Sequence, residues 1–100
     1  MTAEILYEVI ITVDPAIRAD YLVWLRRHMA EMTAIDGFQS ADLFINTENE
    51  NELACHYRLR DRDAMNAYLE GPAQAMRADG VKHFGDKFSA SRRIMDAMTE

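Results

Sequence analysis

The segment Ile5–Val13 constrains the fold more than any other, because both of its alternating faces carry apolar side chains. Strict alternation and enrichment in β-branched residues predict a β-strand. A strand that is partly apolar on both faces is typical of the centre of a sheet, or of a strand covered on both sides. One face is continuous and apolar, and the other is half polar: Ile5, Tyr7, Val9, Ile11 and Val13, against Leu6, Glu8, Ile10 and Thr12.

Asp14-Pro15 predicts the start of a helix, because Asp accepts free amide protons at an N-cap and Pro is tolerated at the first helical position. The helix is expected to end near Thr33, before Gly37. Helical periodicity places seven residues on one arc: Ile17, Tyr21, Trp24, Leu25, His28, Met29 and Met32.

Two further strands are predicted over Phe38–Thr47 and around Leu53–Arg60, joined by the polar hairpin connection 46–51. In the first of these, the alternation places Phe38, Ser40, Asp42 and Phe44 on one face. In the second, Leu53, Cys55, Tyr57 and Leu59 share one face, and Ala54, His56, Arg58 and Arg60 share the other.

A second helical region follows, with Asp61 and Asp63 as competing N-caps. Gly71-Pro72 is predicted to interrupt it, because Pro removes a helix hydrogen bond. The remainder is expected to end at Gly80, a candidate left-handed cap. Residues 81–85 are then a linking turn before a last strand, which carries Phe88, Ala90, Arg92 and Ile94 on one face.

The order β-α-β-β-α-β predicts a single ferredoxin-like α+β domain over residues 1–100, with a four-stranded antiparallel sheet and both helices on one face. The other face would then be bare and too apolar for water, which favours a homodimer formed by sheet-on-sheet packing, a dimeric α/β barrel. Its predicted interface residues are Phe38, Phe44 and His56, with His56 pairing across the interface to Glu8 or Asp42. The alternative is a monomer in which Met95–Met98 folds back over this face.

Composition excludes several classes of protein. The net charge is −6, and no basic stripe or aromatic-basic interleaving is present, which argues against a nucleic-acid partner. No apolar run approaches the roughly 20 residues of a membrane-spanning helix, and the N-terminus has no signal-peptide pattern. A single cysteine, Cys55, fits a reducing compartment, so a cytoplasmic location is expected.

Several local features together resemble an uncharacterised bacterial domain-of-unknown-function family, over nearly the whole chain. They are Val13-Asp14 at the end of the first strand, Trp24-x-x-x-His28, Gly37-Phe38, and Phe84-Gly-Asp-Lys-Phe88 followed by Arg92. This resemblance implies a ferredoxin-like fold and brings no assigned activity. The architecture is also similar to the antibiotic-biosynthesis-monooxygenase and muconolactone-isomerase group, whose members hold small hydrophobic, often aromatic, molecules between helices and sheet. A similarity of fold is a weak guide to function.

His28 is the candidate for acid/base chemistry, since a neutral imidazole among aromatic side chains can act as a general base. The alternative is a structural histidine bonded to a backbone carbonyl near a helix C-terminus. Tyr7, Tyr21, Trp24 and Tyr57 are candidate ligand-binding residues if a cavity exists, and ordinary core residues if none does.

No metal or cofactor is expected. The three histidines are far apart, no Cys-x-x-Cys is present, and no glycine-rich phosphate loop occurs. Cys55 alternates onto the core face, as a small apolar residue would. Two hypotheses follow: a non-enzymatic dimer or small-hydrophobic-ligand-binding module, and a cofactor-independent monooxygenase- or isomerase-like enzyme acting on a small aromatic or polyketide-like substrate with His28 as acid/base.

Overall fold

Four strands form one antiparallel sheet with the helices on one side, which confirms the predicted βαββαβ order. The computed structural model describes residues 3–98. The sheet order is β2-β3-β1-β4, so that β1 is hydrogen-bonded on both edges, as its two partly apolar faces predicted. The strands are β1 (Ile5–Val13), β2 (Phe38–Asn46), β3 (Asn49–Leu59) and β4 (Phe88–Asp96). The helices are α1 (Arg18–Thr33), α2 (Arg62–Glu70) and α3 (Ala73–Phe84), and a short 3-10 turn (Pro15–Ile17) precedes α1.

The first helix begins and ends as predicted. Asp14 Oδ1 accepts a hydrogen bond of 2.9 Å from the backbone N–H of Ala16, and Pro15 opens the 3-10 turn that leads into α1. The apolar arc of α1 packs against the sheet, burying Tyr21, Trp24, Leu25, Met29 and Met32. None of the helices between residues 3 and 98 is long and apolar enough to cross a membrane.

The second helical region is divided at Gly71-Pro72, as predicted, and Asp61 is its N-cap. The expected end at Gly80 is wrong, because α3 continues through residues 81–84 and Gly85 (φ 58°) closes it instead. Glycine is needed at position 80 for close packing and not for ending the helix. A Cβ placed there would lie 3.2 Å from the rings of both Phe88 and Trp24, so glycine lets α3 approach the core closely.

The predicted position of Phe38 on the bare face is also wrong. Phe38 pairs with Leu59 while Ser40 pairs with Arg58, so a bulge separates them and reverses the face on which Phe38 lies. Phe38 is only 8% exposed and packs against the rings of Tyr57 and Tyr68, with centroid distances of 5.9 and 5.2 Å. It therefore belongs to the core under the helices and not to a sheet-face interface.

The alternative in which Met95–Met98 covers the bare face is not what the structure shows. β4 continues to Asp96 in register with β1, and the Ala97 N–H still donates to the Glu4 carbonyl at 2.9 Å. The segment thus runs on beside β1. We call the sheet surface opposite the helices the open face; β1 contributes Leu6, Glu8 and Ile10 to it, and the neighbouring strands contribute Phe44, Ala54, His56, Arg93 and Met95.

An ion cluster occupies the centre of the open face. Glu8 is only 8% exposed, with Arg93 Nη2 at 2.7 Å from its Oε1 and His56 Nε2 at 2.9 Å from its Oε2. Burial raises the pKa of Glu8, whereas the hydrogen bonds from Arg93 and His56 and the charges of these residues lower it. The lowering effects together are larger than the effect of burial, so the pKa of Glu8 lies below its ordinary value. The pairing of His56 with Glu8, predicted across an interface, is made within the chain.

Gly37 supplies a stability test, since it combines a φ of 91° with close approach to α2. A Cβ at this position would lie 2.4 Å from the Ala64 Cβ. We expect Gly37→Ala to lower the free energy of unfolding, measured with urea, by about 2–4 kcal/mol from backbone strain and overlap together. Ala64→Gly alone should cost about 1 kcal/mol, because glycine is unfavourable in a helix. In the Gly37→Ala background the same change should cost less, because it also removes the overlap, though not the strain. Stability equal to the wild type in Gly37→Ala would contradict this packing.

Candidate functional site

A cavity of about 50 Å³ lies between the helices and the centre of the sheet. The five residues predicted for catalysis and ligand binding all line it: Tyr7, Tyr21, Trp24, His28 and Tyr57. The predicted interface residues do not, since Phe44 and His56 lie on the open face and Phe38 is packed into the core.

Tyrosines form the sheet side of the cavity. Tyr7 and Tyr57 are directly paired across β1 and β3, and their ring centroids are 5.9 Å apart. Tyr68 of α2 lies 5.9 Å from Tyr7, and Arg77 Nη2 of α3 donates to the Tyr7 hydroxyl at 3.2 Å. Burial raises the pKa of Tyr68 to about 12 and also raises that of Tyr57, so these phenols stay protonated at neutral pH and can donate hydrogen bonds.

Trp24 and His28 form the α1 side. They are one helical turn apart, and their rings stack with a centroid distance of 4.6 Å and an interplanar angle of 16°. Trp24 Nε1 donates to Asp79 Oδ2 at 3.0 Å, which ties α1 to α3. Tyr21 extends the aromatic wall toward Phe88, with a centroid distance of 5.2 Å.

His28 is held neutral and incompletely bonded. Burial lowers its pKa, Arg92 lowers it further, and the opposing charges of Glu31 and Asp79 only partly compensate. Its Nδ1 is buried with no hydrogen-bond partner among the residues the structure describes. The structural alternative, a bond from this histidine to a carbonyl at the helix end, does not occur at Nδ1. Buried polar atoms without partners are uncommon in proteins and call for an explanation.

Cys55 also lines the cavity, but burial raises the pKa of its thiol to about 11. The thiol is therefore protonated at neutral pH, which agrees with a packing role. Within residues 3–98, no three His, Cys, Asp or Glu side chains are grouped as a metal site requires.

Sequence reasoning missed three polar residues of the cavity: Tyr68, Arg77 and Arg92. A signal existed for Arg92, since the alternation of β4 places it on the same face as Phe88 and Ala90, where a charge is unusual. No comparable signal existed for Arg77, because whether it reaches the Tyr7 hydroxyl depends on how closely α3 approaches the sheet.

Comparison with solved structures defines the class of fold. The chain superimposes on a variant of SnoaB, a cofactor-independent oxygenase from Streptomyces nogalater, with a TM-score of 0.78 and 17% identity over 98% of this chain and 96% of that one. A Nitrosomonas europaea protein provisionally assigned to the antibiotic biosynthesis monooxygenases superimposes with a TM-score of 0.79 and 11% identity, over 98% of this chain and 93% of that one. Rv0793 from Mycobacterium tuberculosis superimposes with a TM-score of 0.77 and 18% identity, over 98% of both chains. The protein therefore has the ferredoxin-like fold of the antibiotic-biosynthesis-monooxygenase group, as the sequence predicted.

The family is shown by the sequence itself. Residues 4–98 match the family described as Domain of unknown function (DUF4286), and the chain belongs to it. No functionally curated protein matches the sequence.

The lowered pKa of His28 predicts a pH-dependent stability. In the unfolded chain this imidazole takes up a proton near its ordinary pKa of 6.5, whereas the folded protein resists protonation. Stability from neutral His28 is therefore complete above that pH and is lost as the pH falls below it. Urea unfolding at pH values of about 7.5 and 5.5 measures this effect. Between the two we expect the free energy of unfolding to fall by less in His28→Phe than in the wild type. An equal loss in both would show that His28 does not contribute.

Proposed function

We propose that this protein binds a small, planar, hydroxylated aromatic molecule in the cavity between the helices and the sheet. The observation that carries the proposal is the buried, unpartnered Nδ1 of His28, on a ring that stacks with Trp24. A ligand hydroxyl that donates to a neutral imidazole would satisfy this nitrogen, while the ligand ring would contact the aromatic walls. Ligand sites are typically apolar and aromatic cavities with a few placed polar groups.

The size of the cavity implies that binding widens it. An apolar cavity of about 150 Å³ is known to accept one benzene ring, and the space here is about 50 Å³. The wall best suited to move is α3, which lies between Gly71-Pro72 and Gly85 and buries only Ala73 and Gly80. The bond from Trp24 to Asp79 is its polar tie to α1.

The second candidate is a cofactor-independent monooxygenase- or isomerase-like enzyme acting on a small aromatic or polyketide-like substrate. What favours it is the unpartnered Nδ1 of His28: burial lowers the pKa of this imidazole, so that at neutral pH the nitrogen is unprotonated and available, as a weak base, to a bound hydroxyl. The fold shared with the oxygenase SnoaB agrees with this candidate. It is not the main support, because at 17% identity a common fold is a weak guide to function. Oxygen uptake in the presence of 1-naphthol, stimulated by the wild type and not by His28→Phe, would favour the enzyme over the binding protein.

We further propose that the protein is a cytoplasmic homodimer paired through its open faces. The support is chemical. Phe44 is 51% exposed on this face, and Leu6, Ile10 and Met95 surround a central carboxylate that Arg93 already neutralises. A face with an apolar rim and a compensated centre can bury against a second copy. Asp42, a carboxylate of this face without an ion pair among residues 3–98, lies on the edge strand β2, where a dimer can leave it in water. The single buried, unbridged Cys55 supports a reducing compartment.

The binding proposal is tested with 4-hydroxybenzamide and its matched analogue 4-methylbenzamide, by isothermal titration calorimetry. We expect the wild type to prefer the hydroxylated compound by about 3–10-fold, the effect of one neutral hydrogen bond. His28→Phe, which keeps a ring against Trp24, should abolish this preference. Arg26→Gln, exposed on α1 and outside the cavity, is the control. Absence of binding by both compounds would overturn the proposal, and equal binding would remove His28 from it.

The dimer is tested by light scattering. The wild type should have twice the mass of the 11.5 kDa chain, and Phe44→Asp should reduce it to the monomer. Ile45→Asp is a matched control, because Ile45 is 47% exposed on the same strand but on the opposite face. A monomeric wild type, or equal effects of the two variants, would contradict pairing through the open face.

A further inference from the structure

All of the charged side chains that line the cavity are arginines. The chain has 17 acidic residues against 11 Lys and Arg, yet no Asp or Glu between residues 3 and 98 lines this space, and Arg77 and Arg92 do. Neither arginine has a carboxylate within 4.0 Å among residues 3–98, since the ion pairs found there involve other residues. The cavity is therefore lined by two guanidinium groups on solvent-exposed residues, neither of them in an ion pair with a described carboxylate, in a protein whose net charge is −6.

Arg92 and Arg93 show how specific this arrangement is. They are consecutive on β4 and so lie on opposite faces of the sheet, opposite Val9 and Glu8 respectively. Arg93 binds the Glu8 carboxylate on the open face at 2.7 Å, whereas Arg92 faces the helices without a carboxylate partner. The positive charge of Arg92 lowers the pKa of His28 and opposes the rise that burial causes in the pKa of Tyr21, so its field reaches the α1 wall.

Arg77 comes from the other side of the cavity, on α3. One of its N–H groups donates to the Tyr7 hydroxyl at 3.2 Å, which leaves most of the five donors of the guanidinium for another partner. Burial raises the pKa of Tyr68, and the charges of Arg77 and Arg92 both act to lower it. Arg77 and Arg92 line the same cavity as Tyr68, one from α3 and the other from β4, so that a single ligand in the cavity lies between the two elements that carry them.

We propose that the ligand is an anion, an aromatic carboxylic acid whose carboxylate is bound by Arg77 and Arg92 while its ring enters the cavity toward Trp24 and His28. This inference rests on the proposed binding function and names its ligand class. A guanidinium binds a carboxylate through paired N–H donors, and such charge-assisted bonds are about twice as strong as neutral ones.

The test compares 4-hydroxybenzoate with its neutral isostere 4-hydroxybenzamide, by calorimetry at neutral pH and low salt. We expect the wild type to bind the acid about tenfold more tightly than the amide, the effect of one charge-assisted contact. Arg92→Gln and Arg77→Gln should each weaken binding of the acid about fivefold or more and weaken binding of the neutral amide much less, so that the preference for the acid shrinks. Arg92→Lys, which keeps the charge but not the paired donors, should retain an intermediate affinity.

Arg26→Gln is the control, because Arg26 is exposed on α1 and does not line the cavity. Urea unfolding of each variant verifies that it is folded. If the amide binds as tightly as the acid, or if the preference for the acid survives both Arg→Gln changes, the anion proposal is overturned while the binding function stands. If neither compound binds the wild type, both proposals fail.

Discussion

The pairing of β1 with strands on both of its edges is the interaction on which the rest of the structure depends. Because β3 and β4 both align to β1, its alternation determines which side chains of the sheet meet the helices and which do not. Tyr7 thereby contributes to the cavity, while the next residue, Glu8, holds the ion cluster on the open face. A shift of one residue in this register would exchange the two, placing a carboxylate among the tyrosines and a phenol in the open face.

Much of the fold could be predicted from local patterns that the structure keeps. Alternation identified the strands, and the Asp14-Pro15 and Gly71-Pro72 pairs marked helix boundaries correctly, since capping and proline geometry act over a few residues. The errors occurred where distant contacts decide. The bulge after Phe38 turns that ring toward Tyr57 and Tyr68, and Gly80 serves close packing against Trp24 and Phe88 and not the end of a helix. Neither contact leaves a local signal.

The candidate site, like the fold, was predicted where local patterns decide and missed where distant contacts decide. The periodicities of the strands and of α1 predicted that Tyr7, Tyr57, Trp24 and His28 lie together. A sheet face and a helix face that pack against each other bring their side chains into contact, and these four residues line one cavity. It could not show that His28 Nδ1 would lack a partner, nor that Arg77 would reach the Tyr7 hydroxyl from α3, since both depend on how closely the helices approach the sheet. Arg92, an arginine on the helix side of the sheet, is an exception to the apolar alternation of β4, and such exceptions identify candidate site residues.

Trp24 has a consequence of another kind. It is the only tryptophan in the chain, it stacks on His28, and its indole N–H is bonded to Asp79 on the helix that would have to move. Its fluorescence therefore originates from one place, at the junction of α1, α3 and the cavity. Protonation of the stacked imidazole, entry of a ligand and displacement of α3 would each change the surroundings of that single emitter. The protein thus carries an intrinsic optical reporter of its own cavity, which needs no attached label.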